Sequence, residues 1–148
     1  MEVWRFGGLE VLEVWKFGGL EVWRFGGLEM EWKHRRLEVW QEARELVRRI
    51  YGVSNNFPKT EKFGLADQIN RAAVSVPSNI AEGSSRESPA DFVHFLVIAR
   101  GSLAEIDTQL TIAEDLGYVD CDEDLHALTE TLARRINSLI RHVRTNNK

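Results

Sequence analysis

Two acid–histidine pairs are the residues whose spacing first suggests chemistry. Glu123 and His126 stand three residues apart, and Asp91 and His94 repeat that spacing more loosely. Four-helix bundles hold di-iron and di-manganese centres with Glu-x-x-His pairs of this kind, supplemented by glutamates from other helices. The two pairs lie near the starts of two helices predicted to run antiparallel, which separates them by about 30–40 Å. We therefore predict no metal site, and ordinary helix-start carboxylates and surface histidines in its place.

Several serines offer hydroxyl groups for nucleophilic catalysis, but the sequence provides no base to activate them. The serines in question are Ser75, Ser78, Ser84, Ser85 and Ser88. No histidine stands near them in the sequence, and no nucleophile motif surrounds them. The sequence also contains no zinc-ligand pattern and no Gly-rich phosphate loop. We predict that the protein is not an enzyme, has no catalytic residues and takes no cofactor.

Basic residues concentrate in two segments of a chain whose formal net charge is −4 and whose pI is near 5.6. The predicted nucleic-acid-binding residues in these segments are Lys33, Arg35, Arg36, Arg44, Arg48, Arg49, Arg134, Arg135, Arg141 and Arg144, with Lys148 beyond them. If the first and fourth helices are neighbours, the two segments form one basic stripe that phosphates would recognise. The alternative is a solvated face with local ion pairs, such as Glu45 with Arg49.

A third polar set surrounds the stretch from residue 68 to residue 83, Gln-Ile-Asn-Arg-Ala-Ala-Val-Ser-Val-Pro-Ser-Asn-Ile-Ala-Glu-Gly. Apolar residues from Ile69 to Ile80 recur there at three- and four-residue steps, the spacing of one buried helix face. Charged residues beside such a face need partners, so we predict a structural polar network that fixes helix register or a subunit contact. Its predicted members are Arg71, Asn79, Glu82, Arg100 and Glu105, and the charged ones are expected to pair across the second and third helices or across subunits. The alternative is a functional polar pocket that includes Arg86.

Four stretches with helical periodicity are predicted to position these residues. The first should run from about Lys33 to Asn55, and the second from about Lys62 to Glu82. Ser88-Pro89 supplies the capping serine and first-turn proline of a long third helix. Acidic residues between 120 and 124 suit the start of the fourth helix. These helices predict an all-α fold, an up-down-up-down antiparallel four-helix bundle over residues 33–148.

The third helix is predicted to be apolar on two faces. Its main stripe, which runs from Ala99 to Gly117, alternates steps of four and three residues, the repeat of helices packed nearly lengthwise. Val97, Ile98 and Ile112 fall off this stripe. A second apolar face indicates a subunit interface rather than an exposed patch, so we expect the bundle to be oligomeric.

Residues 1–32 form a low-complexity repeat that we assign separately from the bundle. The unit Glu-Val-Trp-Arg/Lys-Phe-Gly-Gly-Leu occurs at 2–9, 13–20 and 21–28. The pieces between Gly-Gly pairs are too short to be stable alone, so we predict a disordered segment or an adventitious extension upstream of Met30. A functional aromatic arm is the alternative, and the alternation within Glu-Val-Trp-Arg-Phe also allows strand pairing.

Three segments of the bundle resemble the bacterial four-helix bundle proteins encoded within intervening sequences of 23S ribosomal RNA genes, also called S23 proteins. The segments are Leu-Glu-Val-Trp-Gln-Glu-Ala at 37–43, the stretch at 68–83 quoted above, and Ile-Ala-Arg-Gly-Ser-Leu-Ala-Glu at 98–105. The resemblance covers about residues 33–145 and implies a homopentamer of antiparallel four-helix subunits without known catalytic activity. A related branch, the accessory proteins of diversity-generating retroelements, binds nucleic acid through a basic surface. The present chain resembles the first branch more closely because it is less basic.

Together these patterns predict a non-enzymatic, oligomeric adaptor for RNA or protein. The alternative is a protein-binding scaffold or accessory subunit without nucleic-acid contact. The single cysteine, Cys121, fits a reducing cytoplasm, and no apolar run is long enough to predict a membrane span. Neither the RNA nor the protein partner follows from the sequence.

Overall fold

The computed structural model describes residues 32–146 together with the strand backbone of residues 5–6, 9–17 and 20–26. The chain divides into two compact units, Met1–Glu31 and Trp32–Lys148. Within the part of the chain so described, no helix combines the length and the apolar character that crossing a membrane requires.

The first unit contains a three-stranded antiparallel sheet in the order β1 (Arg5–Phe6), β2 (Leu9–Phe17) and β3 (Leu20–Gly26). Phe6 pairs with Leu9 and Phe17 with Leu20, so the chain reverses direction between β1 and β2 and again between β2 and β3. The described part of this unit therefore consists of strands rather than the predicted disordered chain. Strand pairing was the arrangement that the alternation allowed. The adventitious origin of the repeat stays a prediction.

The second unit is the predicted four-helix bundle. Its helices are α1 (Glu38–Ser54), α2 (Leu65–Ser84), α3 (Pro89–Asp115) and α4 (Glu123–Thr145). Each helix packs against the next, and α1 also packs against α4, which closes the bundle. Side-chain contacts confirm the antiparallel order, since Ser54 at the end of α1 donates to Asn70 early in α2 at 2.8 Å. The core between the helices is built from fully buried aliphatic side chains such as Leu46, Ile80 and Ile106.

Two helix starts differ from the prediction. Residues Lys33–Arg36 form a separate 3-10 turn, and Leu37 then takes an extended conformation (φ −80°, ψ 121°), so α1 begins only at Glu38. The partly buried Leu37 packs against the core, which favours this break. Likewise, α2 begins at Leu65, whose N–H donates to the Glu61 carboxylate at 2.8 Å. The predicted start of α3 is confirmed, because the Ser88 hydroxyl accepts from the Asp91 N–H at 3.4 Å with Pro89 in the first turn.

The contact between α2 and α3 is close, because α2 presents Gly83 to two aromatic residues of α3. A Cβ on Gly83 would lie 2.7 Å from the Phe95 Cβ and 2.9 Å from the Phe92 ring, closer than side chains tolerate. Further along the two helices, the Ser75 and Ser102 hydroxyls share a hydrogen bond. The outer side of α3 differs, since Val97, Ile98 and Ile112 are each about 40% exposed. The prediction that these apolar residues lie outside the core is confirmed.

Candidate nucleic-acid interface

The predicted basic stripe along α1 and α4 contains cations that are largely paired with carboxylates. Arg48 Nε donates to Glu45 at 2.9 Å, and Arg49 reaches the Asp122 carboxylate at 3.4 Å. The hydrogen bond from Arg48 lowers the pKa of Glu45, and the same contact raises the pKa of Arg48. The sequence predicted Arg49 as the partner of Glu45, but the three-residue neighbour Arg48 takes that place.

On the α4 side of this stripe the pairing continues. Arg134 lies 3.2 Å from Glu130, and Arg135 pairs with Glu42 of α1 while lying 3.7 Å from Glu38. We call the four residues Arg48, Arg49, Arg134 and Arg135 the ion-paired stripe. Because each already has a carboxylate partner, the stripe presents much less positive potential than its sequence suggests.

The last two predicted basic residues of α4 are placed differently. Arg141 donates to the Ser138 hydroxyl at 3.1 Å, so it has a neutral partner within its own helix. Arg144 is exposed and lines a shallow groove with Pro89 and Val93 at the start of α3. Lys148 lies outside the described residues.

The basic residues before α1 stand in a different environment. Lys33, Arg35 and Arg36 belong to the 3-10 turn, which packs on both α1 and α2. Gln41 of α1 donates from Nε2 to the Arg35 carbonyl at 2.9 Å and so fixes the turn to the helix. Among residues 32–146, no carboxylate lies within ion-pair distance of Lys33, Arg35 or Arg44. All three side chains are exposed, so a ligand in solvent can reach them.

Aromatic rings interleave with these cations. The Trp32 and His34 ring centroids are 5.9 Å apart, and those of His34 and Trp40 are 4.8 Å apart. The Arg44 guanidinium carbon then lies 4.9 Å from the Trp40 ring centroid, a cation–π contact. We call this group the aromatic corner. It comprises Trp32, Lys33, His34, Arg35, Trp40 and Arg44.

The aromatic corner includes three residues that the sequence analysis missed, Trp32, His34 and Trp40. The four-residue step from Trp40 to Arg44 was a readable signal, because residues at that spacing meet on a helix surface. The contributions of Trp32 and His34 were not readable from periodicity. They depend on the turn that folds the chain back before α1, and the sequence analysis had extended the helix through that turn.

The predicted polar network is not formed within one chain. Arg71 pairs with Asp67 at 3.2 Å one turn earlier on α2, and Glu82 near the end of α2 pairs with Arg86 just beyond that helix. Asn79 donates to the Ser75 carbonyl at 2.8 Å, whereas Arg100 donates to Asn137 of α4 at 2.6 Å. Glu105 accepts from Gln109 at 3.1 Å. No described contact joins two of the five predicted members, so pairing across α2 and α3 is wrong within the chain, and pairing across subunits stays a prediction.

The two acid–histidine pairs of the sequence do not meet. His126 instead lies between two carboxylates of α3, with Nδ1 2.7 Å from Asp107 and Nε2 3.0 Å from Glu114. Partial burial alone would lower the pKa of His126, but the hydrogen bonds to both carboxylates outweigh it and raise that pKa. His94 makes an edge contact with the Phe95 ring. Within the described residues, no group of three histidine, cysteine, aspartate or glutamate side chains is placed so that it could hold a metal ion.

The fold and its surface therefore define an all-α bundle with one aromatic, basic corner. A family model described as 23S rRNA-intervening sequence protein matches residues 35–140. The chain belongs to this family.

A solved structure gives the same fold. It is a crystal structure of a protein of unknown function from the S23 ribosomal protein family of Bacteroides thetaiotaomicron, with a TM-score of 0.64 and 24% identity. The match covers 69% of the present chain and 97% of the other. No curated protein matches the sequence.

Proposed function

We propose that the protein is a non-enzymatic, oligomeric adaptor that binds RNA through the aromatic corner. The supporting observation is that Lys33, Arg35 and Arg44 have no carboxylate partner among the described residues, and that they adjoin a series of aromatic rings of which Trp32 is exposed. Unneutralised cations attract phosphates, and exposed aromatic rings accept bases, so the two features favour the same class of ligand.

Assembly with further copies of the same chain is the second part of this proposal. Val97, Ile98 and Ile112 leave an apolar surface on the outer side of α3. Beside it runs a groove between α3 and α4 lined by small residues such as Gly101, Ala104 and Ala127. Such a surface suits the close approach of a helix from a second copy, and a pentamer is the assembly that the family resemblance implies. Light scattering of the full chain at micromolar concentration should then give a mass several times 17.0 kDa.

We place the protein in the cytoplasm. Cys121 is exposed and unpaired, and a free exposed thiol persists best in a reducing compartment. The relation to the accessory proteins of diversity-generating retroelements stays a prediction.

Binding of the full chain to a 23S rRNA fragment at several salt concentrations tests the RNA proposal. The variant K33Q/R35Q should weaken binding and reduce the slope of log K against log salt by about 1 to 2, since two phosphate contacts are lost. The matched control is R134Q/R135Q, which removes the same charge from the ion-paired stripe and should change the slope little. Equal losses in the two variants would contradict the assignment of the corner.

A protein-binding scaffold without nucleic-acid contact is the second candidate function. The observation that favours it is the exposed apolar surface of α3, which a partner protein of different sequence could also cover. Absence of RNA binding at low salt, together with a defined protein that binds the purified chain and loses affinity in I98E, would support this candidate over the first.

A further inference from the structure

The aromatic corner has a shape that distinguishes between kinds of RNA. Trp32, His34 and Trp40 follow one another as a series of ring contacts, and Arg44 covers the Trp40 ring. The terminal ring of the series, Trp32, is 49% exposed, whereas Trp40 is partly buried beneath its neighbours. Trp32 is therefore the exposed ring of the series, and its contact with the His34 ring helps to fix its position.

We infer that this corner binds an unpaired nucleobase of a single-stranded RNA segment, with the base stacked on Trp32 and the adjoining phosphates held by Lys33 and Arg35. This inference rests on the proposed function and specifies its ligand. The bases of a duplex are already stacked and paired, so their faces are closed to a protein ring. Unpaired bases offer a free face, and aromatic side chains bind them without strong sequence preference.

The charged residues of the corner fit the same ligand. Lys33 and Arg35 lie one and three residues after Trp32, in the same short turn. Arg35 also lines a small groove with Trp40, Gln41 and Arg44. Gln41 uses one amide N–H on the Arg35 carbonyl, which leaves its second N–H and its oxygen for the edge of a base. Two guanidinium groups and one amide thus line the groove next to the Trp40 ring.

A matched aromatic–cation pair elsewhere on the surface provides the control. Phe63 is 86% exposed, and the Lys62 ammonium lies 5.4 Å from its ring centroid. This pair stands beyond the far end of α1, on the order of 25 Å from the aromatic corner along the helix. It has an exposed ring and a cation, and Lys62 also lines a groove with Lys59 and Asn70. Within the described residues no second ring contacts Phe63, so the pair lacks the series of rings.

The test compares affinities of full-length W32L, W32F and F63L for three probes. The probes are a fluorescent 12-nucleotide single-stranded RNA, the same strand in a duplex, and an abasic ribose-phosphate chain of equal length. W32L should bind the single strand about tenfold more weakly than wild type, as expected for the loss of one base–ring stack. W32F should retain most of the affinity, and F63L should match the wild type.

Two readouts separate stacking from charge and from folding. W32L should leave the salt slope and the weak binding of the duplex and abasic probes unchanged, because it removes no cation. Trp32 lies outside the core, so the thermal unfolding of W32L should match that of the wild type. Single-strand affinity that is equal in W32L and wild type would overturn this inference alone. Failure of every probe to bind the wild-type chain would overturn the proposed function as well.

Discussion

The aromatic corner and the ion-paired stripe contain the same kinds of basic residue, but their side chains have different neighbours. Each arginine of the stripe lies against a carboxylate of α1 or α4, or against the Asp122 carboxylate that caps α4. In the corner, Arg44 lies over a ring, and Lys33 and Arg35 face solvent. A count of lysines and arginines along a helix therefore overstates the charge that a ligand can reach. The distribution of acidic neighbours decides where phosphates can bind.

One scaffold fixes both regions, and Gly83 is a position where that scaffold has little room. Gly83→Ala should destabilise the bundle by about 1–3 kcal/mol, the usual cost of adding a methyl group to a fully packed contact. The clash would be with Phe92 and Phe95 of α3. Urea denaturation followed by circular dichroism measures this change in the free energy of unfolding.

Gly101→Ala provides the matched control for that substitution. A Cβ there meets nothing within 4 Å, so the methyl group has space and the helix gains intrinsic propensity. This variant should be as stable as the wild type or more stable. A Gly83→Ala protein with wild-type stability would show that α2 and α3 can move apart freely, and the fixed geometry of the corner would then be in doubt.

Removing the acidic partners of the stripe should make its cations available. In E42Q/E130Q, Arg135 and Arg134 lose their nearest carboxylates. RNA affinity should rise by about three- to tenfold and its salt dependence should steepen, since two more cations can release counterions from the phosphates. The cost in stability should stay within about 1 kcal/mol, because the Arg134–Glu130 pair is exposed and the Arg135–Glu42 pair is partly exposed.

Filter binding at two salt concentrations measures the RNA affinity of E42Q/E130Q and its salt dependence. The control is E87Q, which removes one exposed acid that has no described ion-pair partner and should have a smaller effect. Unchanged affinity in E42Q/E130Q would mean that the stripe is unable to bind RNA for reasons other than neutralisation. The contrast with the corner would then need a different cause.

A third ion-paired cluster lies between the last part of α3 and the start of α4, and its ion pairs depend on pH because one member is His126. Charged His126 is held by Asp107 and Glu114, with Asp122 and Glu123 at the start of α4 as further acidic neighbours. Because the folded-state pKa of His126 is raised, its contribution is complete below the unfolded pKa of about 6.5 and is lost as pH rises through the folded value. Stability should therefore fall by about 1 kcal/mol on the alkaline side of that range.

Chemical denaturation of wild type and H126Q tests this expectation. The measurements should run from about pH 5.5 to about pH 9, which spans the titration of an imidazole near pH 6.5. The difference in stability between the two proteins should be largest at the acidic end and should shrink as pH rises. A difference that stays constant with pH would mean that His126 is not held as a cation. H126Q should bind RNA with the same affinity as the wild type, because the cluster contains no residue of the aromatic corner.

The sequence predicted the helices and their buried faces well, because periodicity reports directly which residues face a core. It predicted two helix starts poorly. The break at Leu37 and the Glu61 contact that begins α2 depend on tertiary packing and on a local hydrogen bond. Had the break been anticipated, Lys33 and Arg35 would have been placed on a turn rather than on a helix face.

Ion-pair partners were harder to predict than helices. Glu45 has an arginine at both three and four residues, and sequence spacing alone does not choose between them. Likewise, Arg71 and Glu82 pair with residues four positions away, Asp67 on α2 and Arg86 just after α2, without the expected pairing to α3. Local contacts of this kind need no backbone rearrangement, so they compete well with pairs between helices.

The most direct test of whether RNA contacts the aromatic corner is photocrosslinking. The full chain is crosslinked to a single-stranded RNA containing 4-thiouridine, and the crosslinked peptides are identified by mass spectrometry. It identifies the contacting residues without any substitution in the protein. We predict that the crosslinks fall on the peptide around Trp32 and Trp40 and disappear at high salt. Crosslinks confined to α4 around Arg134 and Arg135 would contradict the account, because they would place the RNA on the ion-paired stripe.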